Sequence, residues 1–430
     1  MTYDRLPSEE LNRLLESLEK HMSSFYQDKL NLDLSRGKPS REQLDLSNDI
    51  FNTLTSRSSA DSEAGMDCRN YGGLDGIPEA KQLMAGILGC HASDVIVGGN
   101  SSLNMMYETM THAMLDGVCG SKPWFTVEGR KFLCPCPGYD RHFAISEHLG
   151  FELIPIPMLS DGPDMDMVEE LVSSDDTVKG IWCVPKYQNP TGIVFSDTVI
   201  SRFAHLKPKA PDFRIFWDNA YAVHGLYPDD DPPIPDLLTL ASEAGNPDIV
   251  YEFCSTSKIT FPGSGIAALA ASPANLIDLK SFMKIATIGP DKLNQLRTVR
   301  YLRSEAGIRD HMRKQAEFIR PKFEKVQNIL ERDLGGTGIA NWTKPRGGYF
   351  VSFDTMPGCA AEVVALCGRA GVKFTPAGST WPHGFDPEDK NIRLAPTYAA
   401  ADEIDEAMSL FTVAVRIVSI YRILAQRNSQ

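Results

Sequence analysis

The sequence has little of what marks a nucleic-acid-binding, secreted or membrane protein. Acidic residues outnumber Lys and Arg by 56 to 43, giving a net charge of −13, and such a balance disfavours non-specific binding to nucleic acid. The N-terminus lacks the basic start and apolar core of a secretory signal peptide. No apolar run approaches the ~20 residues that a membrane-spanning helix needs. These absences predict a cytoplasmic protein without nucleic-acid or membrane partners.

The nine cysteines are odd in number and irregularly spaced, which favours reduced thiols in a cytosolic protein. Cys134 and Cys136 form a C-x-C pair, but no second cysteine or histidine pair at ligand spacing accompanies them. We therefore predict no metal site and interpret this pair as buried residues near the end of a strand.

What the chain does contain is an alternation of short apolar segments with helical patterns, beginning near residue 76. The predicted strands are Val95–Val97, Phe151–Ile156, Ile181–Val184, Arg214–Trp217, Ile249–Phe253 and Ile266–Ala271. Strands separated by helical crossovers, such as the stretch Asp164–Val172, indicate an α/β fold with a largely parallel sheet. In such sheets ligands bind at the carboxyl ends of the strands.

The two ends of the chain are predicted to be helical, around this central α/β part. Leucines at helical spacing follow the N-terminus, and a long helical pattern runs from Glu305 to the Gly335–Gly336 stop, with Pro321 expected to kink or divide it. A chain of 430 residues suits two or three domains. We expect an N-terminal arm and part of a small domain in 1–50, a large domain in 51–300 and a small α+β domain in 301–430.

Lys258 ends the string Ser255-Thr256-Ser257-Lys258, just past a predicted apolar strand. Alone, such a lysine is typical of an exposed loop. A lysine becomes a nucleophile toward an aldehyde when its surroundings lower its pKa. The hydroxyls of Ser255 and Ser257 suit a phosphate or another tightly held ligand beside it.

Asp218 ends another predicted strand, in the string Asp218-Asn219-Ala220-Tyr221. A carboxylate at the mouth of an apolar strand needs a partner, and a protonated pyridine nitrogen is one that pyridoxal-phosphate (PLP) enzymes pair with Asp. A helix N-cap is the simpler interpretation. Tyr221 could hydrogen-bond the phenolic oxygen of such a cofactor.

Two turn motifs complete the set of candidate sites. Asn189-Pro190-Thr191-Gly192 follows the strand Ile181–Val184 and is by itself an ordinary turn. The Gly/Ser-rich turn Gly98-Gly99-Asn100-Ser101-Ser102 would present N–H groups and a helix N-terminus to an anion, although helix capping explains it about as well. It lacks the Gly-Lys-Ser/Thr ending of a nucleotide-binding P-loop.

In this order the motifs resemble the fold-type-I class I/II aminotransferases over nearly the whole chain. The resemblance is narrower for an actinobacterial-type aspartate aminotransferase subgroup, related to the catalytic half of MocR-type regulators. Its further motifs are Tyr71 with Gly76-Ile77-Pro78, Leu34-Ser35-Arg36-Gly37-Lys38-Pro39, Pro137-Gly138-Tyr139-Asp140-Arg141-His142, Ile288–Gln295, Pro345-Arg346-Gly347-Gly348 and Asn391-Ile392-Arg393-Leu394. The resemblance implies the PLP-transferase fold, with a large domain built on a mostly parallel sheet covered by helices and a smaller α+β domain.

The resemblance also implies roles for individual residues. Lys258 would carry the cofactor as a Schiff base and move the proton at the substrate α-carbon. Asp218 would hold the pyridine nitrogen protonated, with His142 behind it. The remaining implied contacts are Tyr139 on the cofactor ring, Asn189 and Tyr221 at its phenolic oxygen, Asn100, Ser101, Ser102, Ser255 and Ser257 at its phosphate, Tyr71 at the phosphate of the neighbouring subunit of a homodimer, and Arg393, Asn189 and Gly37 at the substrate.

The sequence departs from the family pattern at one point. The family usually has an arginine several residues after the lysine, which neutralises the cofactor phosphate, whereas Ile259–Ala267 contains none. We therefore predict a phosphate site built from Ser101, Ser102, Ser255 and Ser264, with the helix N-terminus after Asn100 adding dipole stabilisation of about 0.3–2 kcal/mol.

The predicted reaction is amino transfer between a dicarboxylic amino acid, aspartate or glutamate, and a 2-oxo acid. Arg36, beside Gly37, is the first candidate for the side-chain carboxylate, with Arg141 and Lys186 as alternatives; an exposed surface cation is the competing interpretation. Aminotransfer from 2-aminoadipate or aromatic, kynurenine-type substrates and a PLP-dependent lyase stay open, because a fold alone does not choose among reactions. A sensor without catalysis would not need Arg393.

Overall fold

The computed structural model describes residues 2–28 and 30–428. Its strands are β1 Leu32–Asp33, β2 Val95–Val97, β3 Lys131–Cys136, β4 Glu152–Pro157, β5 Val178–Cys183, β6 Arg214–Asp218, β7 Val250–Ser255, β8 Ala267–Ala271, β9 Ala340–Trp342, β10 Val351–Thr355, β11 Val372–Lys373 and β12 Asn391–Leu394. Its α-helices are α1 Ser8–Asp28, α2 Arg41–Asp45, α3 Pro78–Leu88, α4 Ser102–Leu115, α5 Asp140–His148, α6 Met165–Ser174, α7 Asp197–Ala204, α8 Leu237–Glu243, α9 Pro273–Ala286, α10 Lys292–Leu302, α11 Glu305–Leu334, α12 Ala360–Arg369 and α13 Ala401–Asn428. All six strands predicted from the sequence are present, with shifts of up to a few residues.

Seven strands form the central sheet in the order β2-β8-β7-β6-β5-β3-β4. Five neighbouring strands, β4, β3, β5, β6 and β7, run parallel, whereas β8 is antiparallel to both of its neighbours. Residues 256–266 join β7 to β8 and are too few for a helical crossover, so the chain turns back on itself. Apolar side chains from the helices cover both faces of the sheet, and the carboxyl ends of the parallel strands meet at one edge.

The six strands given from the sequence do not include β3, which lies inside the sheet between β5 and β4, although the interpretation of Cys134 and Cys136 as buried residues near the end of a strand is confirmed by the end of β3 at Cys136. A proline within a strand argues against an interior position, and β3 contains Pro135. The register explains the exception, because β3 pairs with β5 only as far as Leu133, and beyond it pairs with β4 alone. Pro135 therefore lies where one side of the strand needs no hydrogen bond to β5.

The remaining elements form smaller sheets and a helical layer. β9, β10 and β12 make one antiparallel sheet, and β1 pairs with β11. The long predicted helix is α11, and it is not divided at Pro321. Pro321 and Glu317, whose carbonyl would accept the N–H that the proline lacks, are both exposed. α13 has the length and hydropathy of a membrane span, yet 72% of its apolar stretch is buried, and it packs against α1, α11 and α12.

Candidate active site

The carboxyl ends of the parallel strands open into a cavity of about 220 Å³. Nine residues singled out from the sequence line it: Ser101, Ser102, Tyr139, Asn189, Asp218, Tyr221, Ser255, Ser257 and Lys258. They come from five separate segments of the chain. The sheet topology brings these segments together, because the carboxyl ends of parallel strands meet at one edge.

Asp218 is the last residue of β6 and is 2% exposed. Its Oδ2 lies 3.1 Å from Nε2 of His142, on α5. The imidazole stacks on Trp182 with ring centroids 4.4 Å apart, which fixes the orientation of the ring. Oδ1 of Asp218 is buried and has no partner among the described residues. A buried carboxylate oxygen without a donor is costly, so this atom is suited to a cationic N–H from a ligand in the cavity.

Lys258 faces the same cavity from the loop after β7. Its Nζ lies 4.8 Å from the centre of the Tyr221 ring. Burial lowers the pKa of Lys258, and the negative charge of Asp218 partly opposes this shift. Burial also raises the pKa of Tyr221, so the phenol stays protonated and can donate a hydrogen bond. The cavity therefore holds an amine of increased nucleophilicity opposite a carboxylate.

Hydroxyl groups line another side of the cavity. Ser101 caps α4, where its side chain accepts from the N–H of Asn104 at 3.4 Å, and Ser102 is the first residue of that helix. Free N–H groups and the positive end of the helix dipole suit an anion here. The Asn100 side chain instead donates to the carbonyl of Pro262 at 3.0 Å, and the Ser257 hydroxyl donates to the carbonyl of Asn100 at 3.0 Å. These two side chains brace the loop.

Arg393, on β12, approaches the cavity from the smaller sheet. Its Nη1 bonds Oδ1 of Asp140 at 2.9 Å and Oδ1 of Asn189 at 3.3 Å. The guanidinium lies over the Phe350 ring, 4.8 Å from its centre. Its Nε is buried and has no partner among the described residues. One edge of a fixed guanidinium is therefore left for a carboxylate.

Gly37 lies against the same aromatic ring. A side chain at this position would bring a Cβ atom within 2.3 Å of Phe350, so only glycine lets the chain pass so close to the ring beneath Arg393. This contact links the N-terminal segment to the ring over which the Arg393 guanidinium lies, and the contact of Gly37 with a substrate stays a prediction.

The three candidates for a second carboxylate differ in their surroundings. Arg36 is exposed and makes no ion pair within the part of the chain that the structure describes, and Arg141 is exposed as well. Lys186 is 3% exposed and forms an ion pair with Asp231 at 2.6 Å. Its amine also donates to the carbonyl of Pro232 at 3.0 Å, so it already has two partners within the protein, and its contact with a substrate stays a prediction.

Two further residues lie away from the cavity. Tyr71 is 81% exposed and does not line the cavity of its own chain. Ser264 also lies off the lining, and its hydroxyl bonds the guanidinium of Arg297. An arginine is thus near the loop after Lys258, although it comes from α10 and not from residues 259–267.

Sequence reasoning missed the structural roles of Asp140, Phe350 and Trp182. Asp140 stands inside the Pro137–His142 motif and Phe350 two residues after the Pro345–Gly348 motif, yet nothing in those motifs indicates that both contact Arg393. Trp182 lies on a predicted strand, and the alternation of side chains could have predicted which face of the sheet it occupies. The alternation could not have predicted that Trp182 stacks on His142. These contacts join residues far apart in the chain and depend on the sheet order.

A planar cofactor with a protonated ring nitrogen and a phosphate group, such as PLP, fits the donors and acceptors of this cavity. The free Oδ1 of Asp218 matches a ring N–H, the phenol of Tyr221 and the amide of Asn189 match a ring oxygen, and the α4 N-terminus matches a phosphate. The Lys258 amine matches an aldehyde. Each of these groups of the ligand would meet a protein atom that can still form a further hydrogen bond or, at Lys258, a covalent bond.

Comparison with known proteins gives the family. Residues 6–427 match the family model described as aspartate amino-transferase. A putative aminotransferase from Mycolicibacterium smegmatis is 46% identical over 95% of this chain and 96% of its own length. An aspartate aminotransferase from Corynebacterium glutamicum is 44% identical over 93% of this chain and 92% of its own length.

A crystal structure of an aspartate transaminase from Corynebacterium glutamicum superposes with a TM-score of 0.95, at 42% identity, and the match covers 98% of this chain and 99% of that one. The predicted fold is thereby confirmed as that of the fold-type-I aminotransferases. With the family model matching almost the whole chain and relatives above 40% identity spanning it, the chain belongs to the aspartate aminotransferase family.

Proposed function

We propose that this chain is a PLP-dependent aspartate aminotransferase, which moves an amino group between aspartate or glutamate and a 2-oxo acid such as 2-oxoglutarate or oxaloacetate. The observation that carries the proposal is the buried Asp218, whose free Oδ1 faces the cavity that also receives Lys258. The name of the 44% identical relative supports the choice of substrate.

PLP supplies an electron-withdrawing pyridinium ring that stabilises negative charge developing at the substrate α-carbon. Oδ1 of Asp218 would accept from the ring N–H, while His142 holds Oδ2 and keeps the carboxylate in place. Tyr221 and Asn189 would bond the phenolic oxygen, and Tyr139 would lie on the ring. The hydroxyls of the phosphate end are those of Ser101, Ser102 and Ser255.

Lys258 would serve as both the attachment point and the base. Its lowered pKa increases the unprotonated fraction of the amine near neutral pH. An unprotonated Nζ could accept the proton from the substrate α-carbon and hold it for return to the reacting atoms. Tyr221, which lies against this amine, limits the directions in which it can turn.

Arg393 would orient the substrate by its α-carboxylate. Asp140 and Asn189 hold Nη1, so the guanidinium plane is fixed before the substrate arrives. The other edge, which includes the unpartnered Nε, can then accept a carboxylate bidentately. A fixed clamp directs the α-hydrogen toward Lys258 and lowers the entropic cost of the reaction.

The test is a half-reaction with the purified holo-protein. L-Aspartate should convert the bound PLP to pyridoxamine phosphate and release oxaloacetate in a one-to-one ratio, and 2-oxoglutarate should reverse the absorbance change. L-Alanine and L-phenylalanine serve as matched controls that lack the second carboxylate. Release of ammonia or loss of a carbon fragment would indicate a lyase, and an unchanged spectrum with every amino acid would indicate a PLP sensor.

We also propose a homodimer with shared active sites. In the single chain Tyr71 is 81% exposed, and the apolar side chains of Ile285 and Ile288 are exposed as well. Exposed apolar residues of this kind are expected where a second subunit would cover them. Two-fold dimers are the commonest closed assembly of identical chains. The tyrosine would reach the phosphate of the partner's cofactor.

Mixing two inactive variants tests this assembly. Tyr71→Ala and Lys258→Ala homodimers, dissociated and reassociated together, should recover about a quarter of wild-type activity, because half of the dimers are hybrids with one intact site. Each variant treated alone is the control. An active monomer in sedimentation, or no recovery in confirmed hybrids, would refute shared sites.

A cytoplasmic location belongs to the same proposal. All nine cysteines are free thiols, a state typical of proteins in a reducing compartment. Fractionation of cells that express the full chain, with an antibody against it, would check this location.

A further inference from the structure

The main-chain carbonyls of Lys258 and Ile259 accept hydrogen bonds from side chains that lie far away in the sequence. Tyr349 donates its hydroxyl to the carbonyl of Lys258 at 3.4 Å. The next carbonyl, that of Ile259, accepts from Nε2 of His311 at 2.7 Å and from the amide of Gln315 at 3.1 Å. Gln315 is 1% exposed and Tyr349 is fully buried. These bonds therefore form inside the protein, where they exchange little with water.

Gln43 joins these donors to the N-terminal segment. Its amide donates to Oε1 of Gln315 at 2.7 Å and to the Tyr349 hydroxyl at 3.3 Å. Its oxygen accepts from the backbone N–H of Ser40 at 3.0 Å, and so completes the cap of α2. Gln43 is fully buried, and every polar group of its side chain has a partner. Such a satisfied buried network fixes one geometry.

The same N-terminal segment also reaches the substrate side of the cavity. Six residues before Gln43, Gly37 packs on Phe350, and this ring lies beneath Arg393. Phe350 follows Tyr349 directly in the chain. Residues 37–43 therefore contact both the ring over which the arginine proposed to hold the substrate lies and the side chains that hold Lys258.

We infer that Gln43 and Gln315 are positioning residues that link the N-terminal segment to the main chain of Lys258 and set the direction of its amine. The inference rests on the proposed function of Lys258. Leucine at both positions would fill a similar volume, and replacing both partners of a buried hydrogen bond by apolar groups can be nearly neutral for stability. The bond between the two amides is therefore not itself required for stability, although Ser40 N–H loses its acceptor. An amine that must face one atom, by contrast, does require a fixed main chain.

The double variant Gln43→Leu, Gln315→Leu tests the inference without leaving either amide alone. We expect its kcat with aspartate to fall about tenfold while KM changes less than about threefold, because misplacement of a reacting group affects the chemical step more than binding. In the holo-protein without substrate, the midpoint of the pH titration of cofactor absorbance should shift by at least about half a pH unit. Tyr349→Phe, which removes one hydroxyl, should shift it in the same direction by less.

Gln327→Leu is the matched control. Gln327 also lies on α11 and bonds Trp342 at 3.0 Å and the carbonyl of Thr343 at 2.9 Å, but it has no bond to the 258–259 carbonyls. Its kcat and titration midpoint should equal those of the wild type. A wild-type midpoint in the double variant, or an equal shift in the control, would overturn the inference. If the double variant fails to fold, Tyr349→Phe decides by the same two outcomes.

The two proposals can fail separately. The absorbance titration needs no amino-acid substrate, so a wild type that leaves aspartate unchanged would refute the aminotransferase proposal while the midpoints of the variants still test the network. A wild type that transaminates aspartate, with variants of unchanged midpoint and kcat, would refute only the positioning role.

Discussion

The buried groups of the cavity and the exposed cation of Arg36 have different surroundings. Asp218 and its partner His142 are buried, and Oδ2 of Asp218 lies 3.1 Å from Nε2 of His142. Arg36 is exposed, does not line the cavity, and makes no ion pair among residues 2–28 and 30–428. A buried carboxylate needs its partners to remain charged, whereas an exposed guanidinium is already solvated and can adopt many rotamers.

We relate this difference to the proposed roles, because Asp218 would act in the reaction and Arg36 would recognise the side chain of the substrate. Groups that act in the reaction must hold one geometry, and buried contacts supply it. A group that recognises a variable side chain gains its contacts only when the substrate arrives, so its free-state position carries less information. The contacts of Asp218 are thus already present in the protein alone, whereas a contact of Arg36 with a carboxylate would form only when the substrate binds.

The first way to break the comparison is to remove the charge of Asp218. Asp218→Asn keeps the shape of the side chain, but it can no longer hold a ring N–H protonated. We expect kcat/KM with aspartate to fall by about 10²–10³-fold or more, the size seen when a preorganised electrostatic group is lost. Cofactor retention should fall as well. Single-turnover absorbance measurements on the reconstituted variant would give both quantities.

Asp212→Asn is the matched control for that change. Asp212 is 5% exposed and precedes the same strand, β6, at its other end. It bonds Lys179 at 2.8 Å and the indole of Trp124 at 2.9 Å. Its loss should lower the free energy of unfolding, yet turnover per folded molecule should remain. Near-normal turnover in Asp218→Asn would count decisively against the proposed role of this carboxylate.

The same contrast explains what the sequence could predict. Lys258, Asp218 and Asn189 were found because each follows a strand within a recognisable motif, and local patterns define strands and turns. For β3 the sequence predicted only a strand end at Cys134 and Cys136, because Pro135 conceals the bounds of the strand. The contacts of Asp140 and Phe350 with Arg393 were missed because they depend on how the small sheet meets the large one. Tertiary pairings of this kind leave no local signal. The domain boundaries near residues 50 and 300 stay predictions.

The second way to sharpen the comparison is to change the shape of the substrate clamp and keep its charge. Arg393→Lys retains one positive charge but cannot bind a carboxylate bidentately. A charge-assisted hydrogen bond contributes about 1.5–3 kcal/mol, so we expect kcat/KM to fall by about 10–100-fold for aspartate and alanine alike. Initial rates with both amino acids would measure this, because the α-carboxylate is common to both.

Arg214→Lys is the control for the loss of a planar guanidinium. Arg214 is 2% exposed and binds Oδ1 of Asn275 through Nε at 3.2 Å and Nη2 at 3.0 Å, away from the cavity. This change should reduce stability and leave kcat/KM of the folded protein unaltered. If Arg393→Lys kept full efficiency with both amino acids, the clamp would have to lie elsewhere.

The smallest expected effect is that of Arg36→Ala, and it tests the exposed cation directly. Arg36 adjoins Gly37, which packs on the ring over which Arg393 lies, so it belongs to the segment that we propose to meet the substrate. Loss of one contact to a side-chain carboxylate, worth about 1.4 kcal/mol, corresponds to a tenfold loss of kcat/KM with aspartate, while alanine should be spared.

Arg41→Ala is the control, since Arg41 is exposed on the same segment and lies 3.9 Å from Asp45. Equal losses with aspartate and alanine would make Arg36 structural. A wild type that prefers apolar amino acids would instead refute the dicarboxylate substrate, and the ratio of the two efficiencies in the wild type and the variant separates these outcomes.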